Sequence, residues 1–327
     1  MTRSLTPETL VYGFASAGDP RVSPDGARIV YTLNSMDPET RRGRSQLWLR
    51  GIDAGAPRPL SPDGERAGGA RWSPDGTRIA FTVACGRGST IVALTLDPPE
   101  GREVTHHEEG IGDLAWSPDG GRIAYTTLFD PENPDELEPE AGAPPKVRVT
   151  RRFDYKQDGR GWVGDVRNQV FVVDVERGDR RRITTVLVDH SEPAWSPDGQ
   201  WLAVHVSRPV GPGSQLMLFG VDSGEVRAVG PDRCMIDHWA WSPGGDRIVY
   251  TGDLAPPTFQ SDFFIYDVAS GETRRLTDDL ASLPADQPVW LDERRLLFHA
   301  MRAGGSQLEI IDTVSGELEP VTRWEAR

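Results

Sequence analysis

Residues 71–76 read Arg-Trp-Ser-Pro-Asp-Gly, and the same grammar returns along the chain. AWSPDG stands at 115–120 and 194–199, AWSPGG at 240–245 and RVSPDG at 21–26, while VWLDERRLLF from 289 keeps only the Trp and the apolar run behind it. With the residue before Ser-Pro as anchor, the series is Val22, Trp72, Trp116, Trp195, Trp241 and Trp290, at intervals of 50, 44, 79, 46 and 49 residues. A period of about 40 to 50 residues belongs to propellers or solenoids, and strand content decides between them.

Each anchor is followed by turn chemistry: Pro presets φ, Asp bonds back to the chain and Gly accepts positive φ. A short alternating strand comes next, such as RIVYT at 28–32, RIAFT at 78–82 or RIAYT at 122–126, and then a third, such as SQLWLRGID from 45 or SQLMLFGVD from 214. A Gly-centred turn and a polar edge strand close each unit, as in SGETRRLTD at 270–278. Four strands per unit, six units and no helical periodicity predict an all-β chain, a β-propeller of six four-stranded blades. The blades run roughly over 19–61, 69–107, 112–185, 191–230, 237–278 and 286–323, after an N-terminal segment 1–18, and a long insertion, 128–167, interrupts the third. The anchor Trp is expected on the innermost strand, packed between blades.

Composition narrows the function. The 327 residues carry a net charge of −14, which argues against nucleic acid or an anionic membrane as partner. No run of about 20 apolar residues and no signal-peptide core occurs, so a cytoplasmic protein is expected. Cys85 and Cys234 stand outside any metal-ligand spacing and read as reduced, buried thiols; no metal, other cofactor or catalytic residue is expected. His106 and His107 read as a turn after a strand.

Blades signed by Trp-Ser-Pro-Asp-Gly with Arg-Ile-Ala-Phe-Thr behind them resemble two families, the TolB-type propellers and the N-terminal propeller of prolyl-oligopeptidase-family serine peptidases. LTPETLVYGFASAGDPRVSPDGARIVYT, residues 5–32, is similar to the start of the acylaminoacyl-peptidase branch, where a short helix leads into the first blade. KVRVTRRFDYKQDGRGW, 146–162, is similar to a stretch at the same place in that branch. The resemblance implies a propeller that docks an α/β-hydrolase domain, in the same polypeptide or in trans, and admits short or N-blocked peptides to it. Two departures stand out. The chain has no G-x-S-x-G nucleophile elbow, and six blades are counted where that branch has seven. The alternative is a free-standing TolB-like propeller that binds a protein or small ligand, recruited in one variant as a lyase or cyclase.

Two sets of residues are candidates for binding. Residues just before each innermost strand line one mouth of a propeller channel, which selects Asp19, Asp113, Glu192, Asp237, His238 and Asp286; gathered, the carboxylates would favour an amine, an arginine or a cation. In the insertion, Arg151, Arg152 and Tyr155 could meet a substrate carboxylate or, as the resemblance implies, the partner domain. Turn capping and pairing within the loop are the structural alternatives for the two sets.

Overall fold

The structure, a computed structural model, describes residues 6–53, 55–62, 64–138, 155–158, 161–162, 164–207, 214–231, 234–253, 261–278, 283–284, 286–302 and 305–322. Among the described residues six antiparallel blade sheets follow one another along the chain, with a two-stranded hairpin apart from them, and the fold is a β-propeller. The chain forms two compact units, Met1–Pro193 and Ala194–Arg327. The innermost strands of the first five blades are Ser16–Val22, Ala67–Trp72, Ile111–Trp116, His190–Trp195 and Met235–Trp241; in the sixth the strand is broken into Leu283–Pro284 and Val289–Trp290. Before the first blade, Pro7–Tyr12 forms a helical turn capped by Thr6, whose side chain exchanges hydrogen bonds with Thr9; no residue of it is buried.

The repeated tetrapeptide is a closed hydrogen-bond device. In the third blade the Ser117 hydroxyl accepts from Arg122 N at 2.8 Å and donates to Asp119 at 2.5 Å, while Asp119 also accepts from Gly121 N at 3.0 Å. Gly120 sits at φ 68°, where a side chain would be strained. The serine is buried and fully satisfied, and Ser23, Ser73 and Ser196 are buried and bonded in the same way. The fifth blade, with Gly244 where the others have Asp, draws its carboxylate from two residues further on: Ser242 donates to Asp246 at 2.8 Å. The sixth has Leu291 in place of Ser, and Asp292 accepts from Arg294 N and Arg295 N instead.

The anchor tryptophan does two jobs. Its ring fills the core, and its Nε1 donates to the preceding blade, to the carbonyl of the residue just before that blade's anchor. Trp72 reaches Arg21 O at 2.9 Å and Trp116 reaches Arg71 O at 3.0 Å; in the second unit Trp241 reaches Ala194 O and Trp290 reaches Ala240 O, at 3.3 and 3.4 Å. The arginine that opens the preceding blade's second strand lies over the ring. Arg28 is 5.0 Å from the Trp72 centroid, Arg78 4.9 Å from Trp116 and Arg247 5.6 Å from Trp290. Each also donates across the junction, to Gly76 O, Gly120 O and Glu293 O respectively. Ring, guanidinium and carbonyl thus form one latch, in which a half-buried cation–π contact of about 1 kcal/mol adds to two hydrogen bonds.

Burial departs from simple alternation. Ile79-Ala80-Phe81, Ile123-Ala124-Tyr125, Leu202-Ala203-Val204 and Ile248-Val249-Tyr250 are buried at every position, because both faces of these second strands are covered. In the sixth blade Leu296, Phe298 and Ala300 are buried while Leu297 and His299 between them are only half-buried. Of the two thiols, Cys234 is buried and Cys85 is exposed, against the expectation for Cys85, because it lies at the end of a strand against a Gly-Arg-Gly turn. His106 and His107 close the strand Pro99–His107 rather than lying in a turn. The insertion leaves and re-enters between Arg122–Phe129 and Arg167–Asp174, which pair from Phe129↔Arg167 onward. No helix among the described residues is long and apolar enough to cross a membrane.

Arg78→Ala removes both the contact over Trp116 and the bond to Gly120 O and should lower stability by about 1–2 kcal/mol in urea unfolding; an unchanged midpoint would discard the latch as a stabilising element. Asp119 is held below the usual carboxylate range, first by the Ser117 hydroxyl and then by Gly121 N. Its contribution is therefore present above the ordinary value near 4 and lost as pH falls through the lowered one. Asp119→Asn should flatten the acid limb of a pH–stability curve, read by thermal melts from about pH 5 down to 2.

Candidate functional site

The approach to four of the anchors, Val22, Trp72, Trp116 and Trp241, is bent by the same device. Pairing between first and second strands slips by one residue between Gly18 and Arg21, Gly68 and Arg71, and Ile236 and Trp239, and in the third blade between Ile111 and Leu114. Such a bulge re-aims a side chain at the strand start. Three residues before the anchor the backbone turns left-handed at Asp19 (φ 46°), Gly69 (64°) and Glu192 (53°). Gly accepts this without strain; Asp19 and Glu192 hold it against the preference of L-residues, a feature concentrated at binding sites and clamps.

In the first unit the sequence-selected carboxylates are engaged. Asp19 accepts from Arg21 Nε at 2.8 Å and from Arg71 Nη1 at 3.0 Å. Burial opposes its ionisation, but the charge and hydrogen bond of Arg71, followed by those of Arg21, outweigh it and hold the carboxyl below its usual range. Asp113 accepts from Glu192 N at 2.9 Å, so these two candidates are neighbours. These strand starts are therefore mixed in charge: the Asp113 carboxylate is held by the Glu192 backbone, and that of Asp19 is neutralised by two guanidinium groups. Arg21 and Arg71 are the residues that the sequence reading missed. The signal was present: one position before the anchor they stand where other blades have Ala115, Ala194 and Ala240.

In the second unit Asp237 accepts from Ser261 Oγ at 2.8 Å, and His238 N donates to Thr251 Oγ1 at 3.2 Å. Asp286 pairs with His299 Nδ1 at 3.0 Å, and His299 Nε2 meets the Ser306 hydroxyl. These three form a Ser-His-Asp relay, but Asp286 is 75% exposed and Ser306 is exposed too. A nucleophilic site needs an oriented, desolvated relay and donors for an oxyanion.

Of the insertion candidates, Arg151 and Arg152 lie outside the described residues. Tyr155 is exposed and tilts against Trp162, centroids 5.1 Å apart, across a short hairpin formed by Lys156–Gln157 and Gly161–Trp162. The start of the insertion is pinned by Glu136, at φ 54°, which meets His107 Nδ1 at 2.5 Å and accepts from Glu108 N at 2.6 Å. His107 Nε2 faces Tyr125 OH at 2.8 Å and Arg180 Nη1 at 3.3 Å. Because Arg180 can only donate, Nε2 accepts and the ring proton sits on Nδ1, aimed at Glu136. Burial first, and the charge of Arg180 against the pull of Glu136, place the imidazole below its ordinary range. A cleft of about 650 Å³ beside the first blade is lined by Phe14, Asn34, Arg44 and Arg66, with Arg44 paired to the buried Asp37. No group of three or more metal-ligating side chains occurs among the described residues.

The geometry can be set beside known proteins. The chain is similar to peptidase propellers. It is 26% identical over 204 residues to a curated relative, the uncharacterised peptidase YuxL of Bacillus subtilis strain 168, a match covering 62% of this chain and 31% of that protein. Its structure matches the acylaminoacyl peptidase of Pyrococcus horikoshii with TM-score 0.71 and 19% identity, over 97% of this chain and 47% of that one. The propeller domain of the Trilobed protease of Pyrococcus furiosus matches with TM-score 0.65 and 18% identity, over 96% of this chain and 85% of that one. An oligogalacturonate lyase in complex with manganese matches with TM-score 0.66 and 17% identity, over 92% and 75%. No family model matches. The chain thus spans 31% of the peptidase relative and 47% of the acylaminoacyl peptidase.

Arg71→Ala leaves Asp19 with one cationic partner, so its carboxyl should titrate at higher pH than in the parent. A carbon-detected NMR titration reads the midpoint directly, and an unmoved midpoint would show that Arg71 does not hold this carboxylate.

Proposed function

We propose that this chain is the non-catalytic propeller of an acylaminoacyl-peptidase-like serine hydrolase, docking an α/β-hydrolase domain and limiting its substrates to short or N-blocked peptides. The observation that carries the reading is the match along 97% of the chain to an acylaminoacyl peptidase twice its length. It agrees with the resemblance of residues 5–32 and 146–162 and with a sequence that holds no nucleophile elbow. The propeller acts by steric exclusion: a substrate must reach the hydrolase past its edge, so length is selected without covalent chemistry in the blades. The pin from Glu136 to His107 fixes the root of the insertion, which in this reading faces the hydrolase and offers its arginines and Tyr155 to a substrate carboxylate or to the partner domain.

A second reading, a free-standing propeller that binds a ligand at the starts of its innermost strands, is favoured by the lyase likeness and by the strained Glu192 against Asp113.

The first reading is tested with the matching hydrolase, assayed alone and with this chain fused or added in trans, on acylated peptides of graded length. The chain should lower kcat/KM for peptides of about 15 residues at least tenfold relative to tripeptides, about 1.4 kcal/mol of discrimination; an unchanged length preference would reject the gate. For the second reading, Asp113→Asn with Glu192→Gln should weaken any ligand found by screening at least tenfold, and undiminished affinity would remove these strand starts as its site.

A further inference from the structure

One arginine recurs on the outer strand of the blades. The register sets Arg58 opposite Leu49, Arg102 opposite Ala93, Arg227 opposite Leu218 and Arg274 opposite Ile265. Three of these four reach the next blade just past the end of its third strand. Arg227 Nη1 donates to Val268 O at 3.2 Å and Arg274 Nη2 to Thr313 O at 2.8 Å, while Arg102 takes both the carbonyl and the carboxylate of Glu176. Arg58 is the exception: among the described residues it has neither a hydrogen bond nor an ion pair. The junction of the first and second blades holds instead a cleft of about 460 Å³, whose lining includes Arg28, Leu49, Arg50, Arg58, Leu96 and Asp97. A volume of this size suits a small organic molecule.

The next junction along the chain shows which chemistry fits. There the Glu176 carboxylate lies between two arginines: Arg78 Nη1 is 3.6 Å from Oε1, and Arg102 Nη1 is 2.6 Å from Oε2. Arg28 and Arg58 hold the places of those two arginines. Asp97 holds that of Glu176, because Arg78 pairs with Thr95 and Arg122 with Asp174, two residues before each. Asp97 is one methylene shorter, is exposed, and forms no ion pair among the described residues. Two guanidinium groups that grip a carboxylate in one junction therefore line a cleft in the other. Arg28 spends Nη2 on Gly76 O, with Asp25 3.7 Å away, and keeps Nε and Nη1; Arg58 keeps every donor. The rest of the lining restricts the ligand further. Three arginines stand against two carboxylates, Asp97 and Asp25, so one positive charge is in excess, which a monoanion neutralises and a dianion overshoots. Leu49 and Leu96, both buried, supply an apolar wall.

We propose that the cleft between the first and second blades binds a small aliphatic monocarboxylate, its carboxylate held between Arg28 and Arg58 as that of Glu176 is held between Arg78 and Arg102. The site lies where second strands begin and third strands end, at the other end of the sheets from the strand starts. It does not rest on the docking of a hydrolase.

The test is a ligand-detected NMR titration of the 327-residue chain with 4-methylpentanoate, 4-methylpentanamide and inorganic phosphate. The carboxylate should bind with a Kd of about 1 mM or tighter, and the amide, which has the same apolar body without the charge, at least tenfold more weakly. Two variants locate the site. Arg58→Gln removes one guanidinium and should weaken binding at least tenfold. Asp97→Glu restores the length of Glu176, so the chain's own carboxylate enters between the arginines and should weaken binding as much while the thermal melt stays intact; it decides the matter if Arg58→Gln fails to fold. Undiminished affinity in a folded variant would overturn the proposal, as would equal binding of the amide or no binding by the parent chain at millimolar ligand. Phosphate bound as tightly as the carboxylate would overturn it too, by showing a general anion site.

Discussion

A propeller blade has no means of covering its own faces, so its stability resides in the junction with the next blade, and here that junction is organised by one indole ring. Its N–H fixes the ring to a carbonyl of the blade before, and an arginine from that blade closes over it. Because all three parts are set by the backbone of innermost and second strands, the contact enforces register between sheets as well as attraction. The Ser-Pro-Asp-Gly turn supports this by locking the chain directly after the ring, burying a serine whose donor and acceptor capacity are both used.

Variation around the repeat is informative because the constraint is so regular. Gly244 is tolerated in the fifth blade because Asp246 restores the missing carboxylate. Trp201 stands in the fourth blade where the others have arginine, and Arg227 lies over its ring instead, 4.5 Å from the centroid. Val22 replaces the anchor in the first blade and is more than half exposed. Each departure has a local partner or a local exposure.

At the strand starts the chemistry is balanced rather than acidic. Asp19 and Glu192 hold a strained conformation at the place where the second blade has a glycine, Gly69. Holding charged residues there suits recognition more than folding, while Arg21 and Arg71 remove the uniform negative field that a count of carboxylates implies. The insertion adds a second polar region, rooted by a carboxylate bridging His107 and a backbone N–H.

The fold, the six units, the turn chemistry and the place of the anchor were legible in the sequence because they rest on short-range spacing: a period of 44 to 50 residues, turn residues at fixed offsets and alternating apolar positions. The resemblance to peptidase propellers was legible too, since residues 5–32 carry a contiguous pattern. What only tertiary structure decided were the pairings across blades. Asp19 finds Arg71 over 52 residues, and Asp113 finds Glu192 over 79. Charge neutralisation and strain at a strand start depend on neighbours distant in the chain, and no local spacing encodes them.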